Sequence, residues 1–259
     1  MRKLIFITIV FTFLTAPVFG APHGTYSDYG RMDYSRIGGY YGGNGGEFTL
    51  RQDGIGLGGV VDFLSNSAYA DVAKSEDGDV TSFQTFCVEL TEYVSQPLDL
   101  YVSEQNAALT GTGSHAYQGG IPLTGDDLDP RTAYLYTQFA TGQLSGYNWT
   151  VATGRASSAV TLQRLIWNIE GEDGKVLGDF SGSVGGIDLT DTQETQATAW
   201  LTEAKDMGWT GIGNVRILQA YTTSGGLAQD QLYLVPVPAA VLLGLLGLGA
   251  AGMKLRKFV

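Results

Sequence analysis

The chain has 259 residues, 44% hydrophobic and 16% charged, with a formal net charge of −11. All 26 acidic residues fall between positions 21 and 235, while five of the 15 basic residues crowd the two ends, so the centre presents an acidic surface that repels phosphate backbones and excludes nucleic acid as a partner. A single cysteine excludes an intrachain disulfide framework.

Arg2 and Lys3 precede an apolar block, Leu4 to Leu14, which Ala16-Pro17 breaks; Val18-Phe19-Gly20 then leads into Ala21. Charge, apolar block and breaker in that order predict a secretory signal over residues 1–20, cut between Gly20 and Ala21. Residues 21–46, rich in Tyr, Gly and Ser, read as an irregular leader, and Gly38 to Gly46 (GGYYGGNGG) reads as a flexible loop or linker. The main domain then spans residues 47–235.

Within it, Glu47 to Gln52 and Gly59 to Leu64 read as strands joined through Asp53-Gly54, and Ser75 to Asp79 as a turn. Thr85 to Tyr93 alternates, with Phe86, Val88 and Leu90 on one face and Thr85, Cys87 and Glu89 on the other. The period then changes. Asp129 as N-cap and Pro130 at the first helical position open a helix that stops near Gly142. A second helix fits Ala156 to Glu170, closed by Gly171. A third fits Asp191 to Met207, with Ala197, Trp200, Leu201 and Ala204 on one face and Gly208 as its stop. Val215 to Thr222 and Gln231 to Val235 return to strand. The class is α+β. The expectation is an antiparallel β-sandwich or barrel-like sheet, with a helical subdomain inserted between the strand bearing Cys87 and the closing strands.

At the end of the chain, Pro236 and Pro238 stop what precedes them. Val235 to Met253 is apolar throughout and long enough to cross a bilayer, and Lys254, Arg256 and Lys257 follow on the side that positive charge prefers, the cytoplasmic one. Residues 236–259 are thus predicted as a membrane-directed tail. Together the two ends predict export, with residence at the cell envelope, the cell surface or an extracellular matrix. The tail resembles the PEP-CTERM sorting signal, in which a Pro-Glu-Pro, a membrane segment and basic residues come in order. Val237 stands at the glutamate position, closer to the "VPLPA" variant. The resemblance implies an exosortase-type sorting enzyme as a partner and contact with the membrane before processing.

Two residues of the central domain are oddly placed. Ala159, Val160, Ile166 and Trp167 define the apolar stripe of the second helix, and Gln163 falls in the middle of it. A carboxamide there must be hydrogen-bonded or it destabilises the fold. Cys87 lies on the mixed face of its strand. If helix packs on strand, thiol and carboxamide meet, and a thiolate attacking the amide carbon and expelling ammonia leaves an internal thioester. Cysteine is the suitable attacker. The poor electrophilicity of amides requires near-attack geometry and exclusion of water. Phe86 and Trp167 are candidates for that apolar wall.

FCVEL around Cys87 and LQRLIW around Gln163 resemble the two signatures of the thioester domains of bacterial surface adhesins. The helix RTAYLYTQFATG between them is also similar to the family's, and the match runs from about Phe83 to Gly171. The resemblance implies that Cys87 and Gln163 are the bonded pair, with Glu89 at the acidic position of the first signature and Trp167 at the last apolar position of the second. Arg164 stands where alanine is common. The implied activity is covalent capture, once per molecule and without turnover, of an amine on a surface protein or matrix polymer. No cofactor is called for.

Other readings remain open. A structural or carbohydrate-binding protein of an exopolysaccharide matrix suits the glycine- and tyrosine-rich strands, with Tyr40, Tyr41 and Trp149 as aromatics able to stack on sugars. A hydrolase is poorly supported. Glu89 and Glu92 point to opposite strand faces, and His23 and His115 lack metal-ligand spacing. Asp77 and Asp79, or Asp126, Asp127 and Asp129, do not fit an EF-hand loop for calcium. Asn148 opens a glycosylation sequon by pattern only.

Overall fold

The computed structural model of the chain describes residues 30–36, 38–52, 65–74, 81–92, 99–105, 107–108, 126–150, 153–221 and 227–236. Its class is mixed α+β. The main sheet takes strands from both ends of the domain: β1 (Gly30–Ser35), β4 (Phe48–Gln52), β5 (Phe83–Thr85), β6 (Asp99–Gln105), β9 (Val215–Tyr221) and β10 (Leu227–Leu234). Two short ribbons accompany it, β2 (Tyr41–Gly42) with β3 (Gly45–Gly46), and β7 (Ala107–Ala108) with β8 (Asp126–Asp127). Three helices, α1 (Pro130–Ala140), α2 (Thr153–Glu170) and α3 (Asp191–Asp206), lie between β8 and β9 in the chain.

The sheet order is β10-β9-β6-β1-β4-β5, and every neighbouring pair is antiparallel. Just past β5, the backbone N–H of Val88 donates to the Asp230 carbonyl at 3.1 Å, and that of Leu232 to the Phe86 carbonyl at 3.1 Å. An isolated bridge between Cys87 and Gln231 joins them. The chain leaving one edge strand is thus stitched to the other edge strand. Among the described residues this seam is one bridge long, and no barrel is closed.

The helices follow from local signals. Asp129 caps α1 by accepting from the Arg131 N–H, with Pro130 at the first position. Thr190 and Gln193 form a capping box at the start of α3, whose Ala197, Trp200, Leu201 and Ala204 are the buried face, as the spacing predicts. α2 starts three residues earlier than its sequence signal and is buried on every side from Thr161 to Glu170. Contacts with α1, α3 and the β2–β3 hairpin surround it.

Three expectations change. The stretch read as an irregular leader supplies β1, which pairs with both β4 and β6 and buries Met32 and Tyr34. The supposed linker supplies the β2–β3 hairpin, with Tyr40 buried beside it. The long strand expected over Thr85 to Tyr93 is three residues of ladder followed by the seam, and every residue from Phe83 to Glu89 is buried. Its polar members face protein instead of water: Thr85 Oγ1 donates to the Leu232 carbonyl at 2.6 Å, and Gln84 Nε2 to Thr49 Oγ1 at 3.1 Å. The strands read at Gly59 to Leu64 and the turns at Asp53-Gly54 and Ser75 to Asp79 lie outside the described residues.

A buried ion pair ties sheet to helices. Arg155, in the first turn of α2, donates to both carboxylate oxygens of Glu47 at 2.9 and 2.8 Å and to the Val72 carbonyl at 2.7 Å. Tyr147 O–H donates to the same carboxylate at 2.6 Å, and the guanidinium lies 4.3 Å from the Tyr40 ring centre. Arg155→Met therefore leaves the Glu47 carboxylate buried without its cation, and is expected to lower stability by about 3–5 kcal/mol in urea denaturation.

The buried tyrosines give the fold a pH limit. Burial pushes the Tyr69, Tyr136 and Tyr147 hydroxyls above the ordinary value of 10.0, and at Tyr147 the Glu47 carboxylate adds to it. A folded pKa raised in this way contributes stability that is complete below the unfolded pKa and is lost as pH rises beyond it. Urea midpoints are expected to hold between neutral pH and about pH 9 and to fall above about pH 10, with the phenolate absorbance of these three tyrosines, beyond that of exposed ones such as Tyr41, appearing only together with unfolding.

Candidate functional site

The seam and the centre of α2 meet at one pair of side chains. Cys87 and Gln163 are both fully buried. Gln163 Oε1 accepts from the Cys87 backbone N–H at 3.2 Å and lies 3.3 Å from the Cys87 Sγ, while Nε2 donates to the Cys87 carbonyl at 2.7 Å. The carboxamide thus spends its acceptor and a donor on one residue, which fixes the amide plane. Its carbonyl carbon is one bond beyond an oxygen that the sulfur already touches. The two residues that the sequence marks as oddly placed are in direct contact.

The surroundings hold the sulfur neutral. Burial pushes the thiol pKa well above its ordinary value; the Trp167 indole pulls it down, the Glu89 carboxylate pushes it up, and Arg36 pulls it down. Glu89 is buried and its Oε2 accepts from the Asp230 N–H at 3.3 Å, while its carbonyl accepts from Gln229 Nε2 at 3.0 Å. It therefore anchors the far side of the seam to β10. Phe86 turns its ring edge-on to Phe139 of α1, with centroids 4.9 Å apart. Trp167, one turn beyond Gln163, is fully buried.

Sequence reasoning missed the cover over the pair. A Cβ added at Gly45 would fall 2.4 Å from Gln163 Cγ and 2.7 Å from Trp167 Cη2, so only glycine lets β3 lie flat on α2 there. Gly185, at φ +58°, likewise leaves the same ring its space, since a Cβ would sit 2.8 Å from Trp167 Cζ3. The two covers are joined: the Asn44 N–H donates to the Gly185 carbonyl at 2.7 Å. The signal was the density of glycine itself, which also fits a linker.

Arg164, next to Gln163 in the chain, is buried and pairs with Asp173 at 2.9 Å. Asn168 Nδ2 donates to the same carboxylate, and its Oδ1 accepts from the Gly178 N–H at 2.7 Å. Two polar residues of α2 thereby hold the loop that follows it and leads to Gly185.

The remaining candidates are dispersed. Tyr40 is buried under Arg155, and Trp149 packs on Phe139 and Tyr147 with centroids 5.2 and 4.5 Å apart. Tyr41 is exposed on the hairpin, with Arg36 over its ring. Asp129 serves as the α1 cap. Pro236 helps line a cleft of about 480 Å³ with Trp209, Thr137 and Leu234, and neither Cys87 nor Gln163 borders it. Gly20, Ala21, His23, Asp77, Asp79, His115 and Pro238 lie outside the described residues. Among the described residues, no group of three or more His, Cys, Asp or Glu side chains is arranged to hold a metal ion, and no helix is long and apolar enough to cross a membrane.

Comparison with protein-family models, with curated proteins and with solved structures finds no match for this chain.

Gly45→Ala is expected to lower stability by about 1–3 kcal/mol through overpacking against Gln163 and Trp167. Gly211, which has nothing within 4 Å of an added Cβ, is the control. Urea denaturation of the two alanine variants should separate them.

Proposed function

We propose that this chain is an exported surface protein in which Cys87 and Gln163 condense to an internal thioester that captures an amine on a partner surface. The observation that carries this reading is the buried contact of Sγ with the Gln163 carboxamide at 3.3 Å. A side-chain amide is a poor electrophile, and contact of this kind replaces a bimolecular encounter by an intramolecular one. The Cys87 N–H, 3.2 Å from Oε1, is placed to stabilise negative charge on that oxygen as the carbon becomes tetrahedral.

In the first step the sulfur bonds to the Gln163 carbonyl carbon, the thiol proton passes to the amide nitrogen, and the C–N bond breaks to release ammonia. In the second, the amine of a lysine or a matrix polymer attacks the same carbon. The C–S bond breaks, the sulfur regains a proton from the attacking nitrogen, and an amide links partner to Gln163. Nothing regenerates the thioester, so the protein acts once and is not a turnover enzyme. The glycine cover excludes water, the competing nucleophile. Resemblance to adhesin thioester domains adds the surface role. The barrel-like form of the sheet belongs to this proposal and is supported by the seam bonds at Cys87. Export, and handling by an exosortase-type enzyme through the membrane-directed tail, rest on the two ends of the sequence.

Intact mass of the purified protein tests the reading. Wild type is expected to be lighter than its sequence mass by one ammonia and to regain mass on incubation with methylamine. Cys87→Ala and Gln163→Ala should show full mass and take up none. A wild-type protein of full mass whose thiol titrates freely once unfolded removes the proposal and leaves a structural or carbohydrate-binding matrix protein as the better reading.

A further inference from the structure

The indole of Trp167 carries a polar atom that its surroundings do not use. Trp167 is fully buried, and its Nε1–H makes no well-formed hydrogen bond in the resting geometry. A buried donor without a partner is destabilising, and phenylalanine would fill the same apolar position without it. Nearly every other buried polar side chain of α2 is engaged: Gln163 with Cys87, Arg164 with Asp173, Asn168 with Asp173 and Gly178. Arg164 Nε and Glu170 Oε1 also lack partners, but both side chains are held through another atom, whereas the indole has no second polar atom; it sits one helical turn from the reacting carboxamide.

The ring cannot swing away. Its benzo edge is closed in by Gly45 and Gly185, where even a Cβ would approach within 2.7 and 2.8 Å, and this fixes the direction of the N–H. Among the side chains acting on the Cys87 thiol, Trp167 has the largest effect and favours the charged sulfur, against burial and Glu89. The carbonyl oxygen already has its own donor, the Cys87 backbone N–H at 3.2 Å. On the sulfur, the side-chain donor that acts is the Trp167 ring N–H.

Building on the thioester reading, we propose that Trp167 is a catalytic residue whose indole N–H hydrogen-bonds the Cys87 sulfur while it carries negative charge. In condensation the charge is on the attacking thiolate. In aminolysis it is on the sulfur leaving Gln163, before the proton from the attacking nitrogen reaches it. The indole keeps its own proton throughout. The site then divides its work: a backbone N–H for the oxygen and an indole N–H for the sulfur, each rigid before reaction.

The test replaces the N–H at constant shape. Trp167→Phe, and benzothienylalanine placed at position 167, which keeps the bicyclic ring and puts sulfur where nitrogen was, are compared with wild type as full chains. Both are expected to slow methylamine uptake by roughly ten- to hundredfold, the effect of one hydrogen bond to a charged group. The benzothienyl protein should keep the wild-type Tm. A benzothienyl protein that reacts at the wild-type rate overturns the proposal, whether Trp167→Phe folds or not, because packing alone then accounts for the tryptophan. If wild type itself has full mass and takes up no methylamine, it is the thioester reading that fails.

Discussion

A helix with no exposed face must satisfy all its polar side chains inside the protein, and α2 is such a helix from Thr161 to Glu170. Several of its polar residues recruit distant pieces of chain. Gln163 binds the seam at Cys87, Arg164 and Asn168 bind the loop at Asp173, and Arg155 at the helix start binds Glu47 ahead of β4. The sheet, the hairpin and the long loop are thereby organised around one element. Apolar packing supplies the bulk of the burial, but these bonds decide which segment lies against which turn of the helix.

The proposed chemistry occupies the point where this constraint is tightest. Sulfur, carboxamide and indole come from two segments of chain, and two glycine-containing segments from elsewhere close over them. A stored acyl electrophile survives only if water is kept out, and backbone packed so closely on the helix that even a Cβ would clash leaves no room for it there. The same closeness raises the thiol pKa, so the site favours neutral groups at rest and holds its donors ready for the charge that forms on reaction.

The acidic composition fits this picture from outside. The partner class in the proposal is an amine, most of which is protonated in water, and a central region holding all 26 carboxylates attracts such partners over long range. Attraction and reaction are separate tasks here. Negative charge is distributed along the central sequence, whereas the reacting pair is enclosed.

Much of the helical layer was legible in the chain itself, because caps and apolar spacing are local: Asp129-Pro130, the Ala197–Trp200–Leu201–Ala204 face and the glycines after each helix act over a few residues. So were the two members of the site, since a glutamine inside an apolar stripe and a lone cysteine are visible without coordinates. Their contact, the burial of both faces around Cys87, and the role of GGYYGGNGG were not. A glycine run carries no side-chain periodicity, and whether it is a linker or a cover depends on a surface more than 100 residues away, at Gln163 and Trp167. What the sequence alone determined is therefore the set of elements and the unusual residues on them. Which of those residues meet, and what seals them from water, was decided by tertiary packing, because contacts between distant segments depend on shape complementarity that no local pattern records.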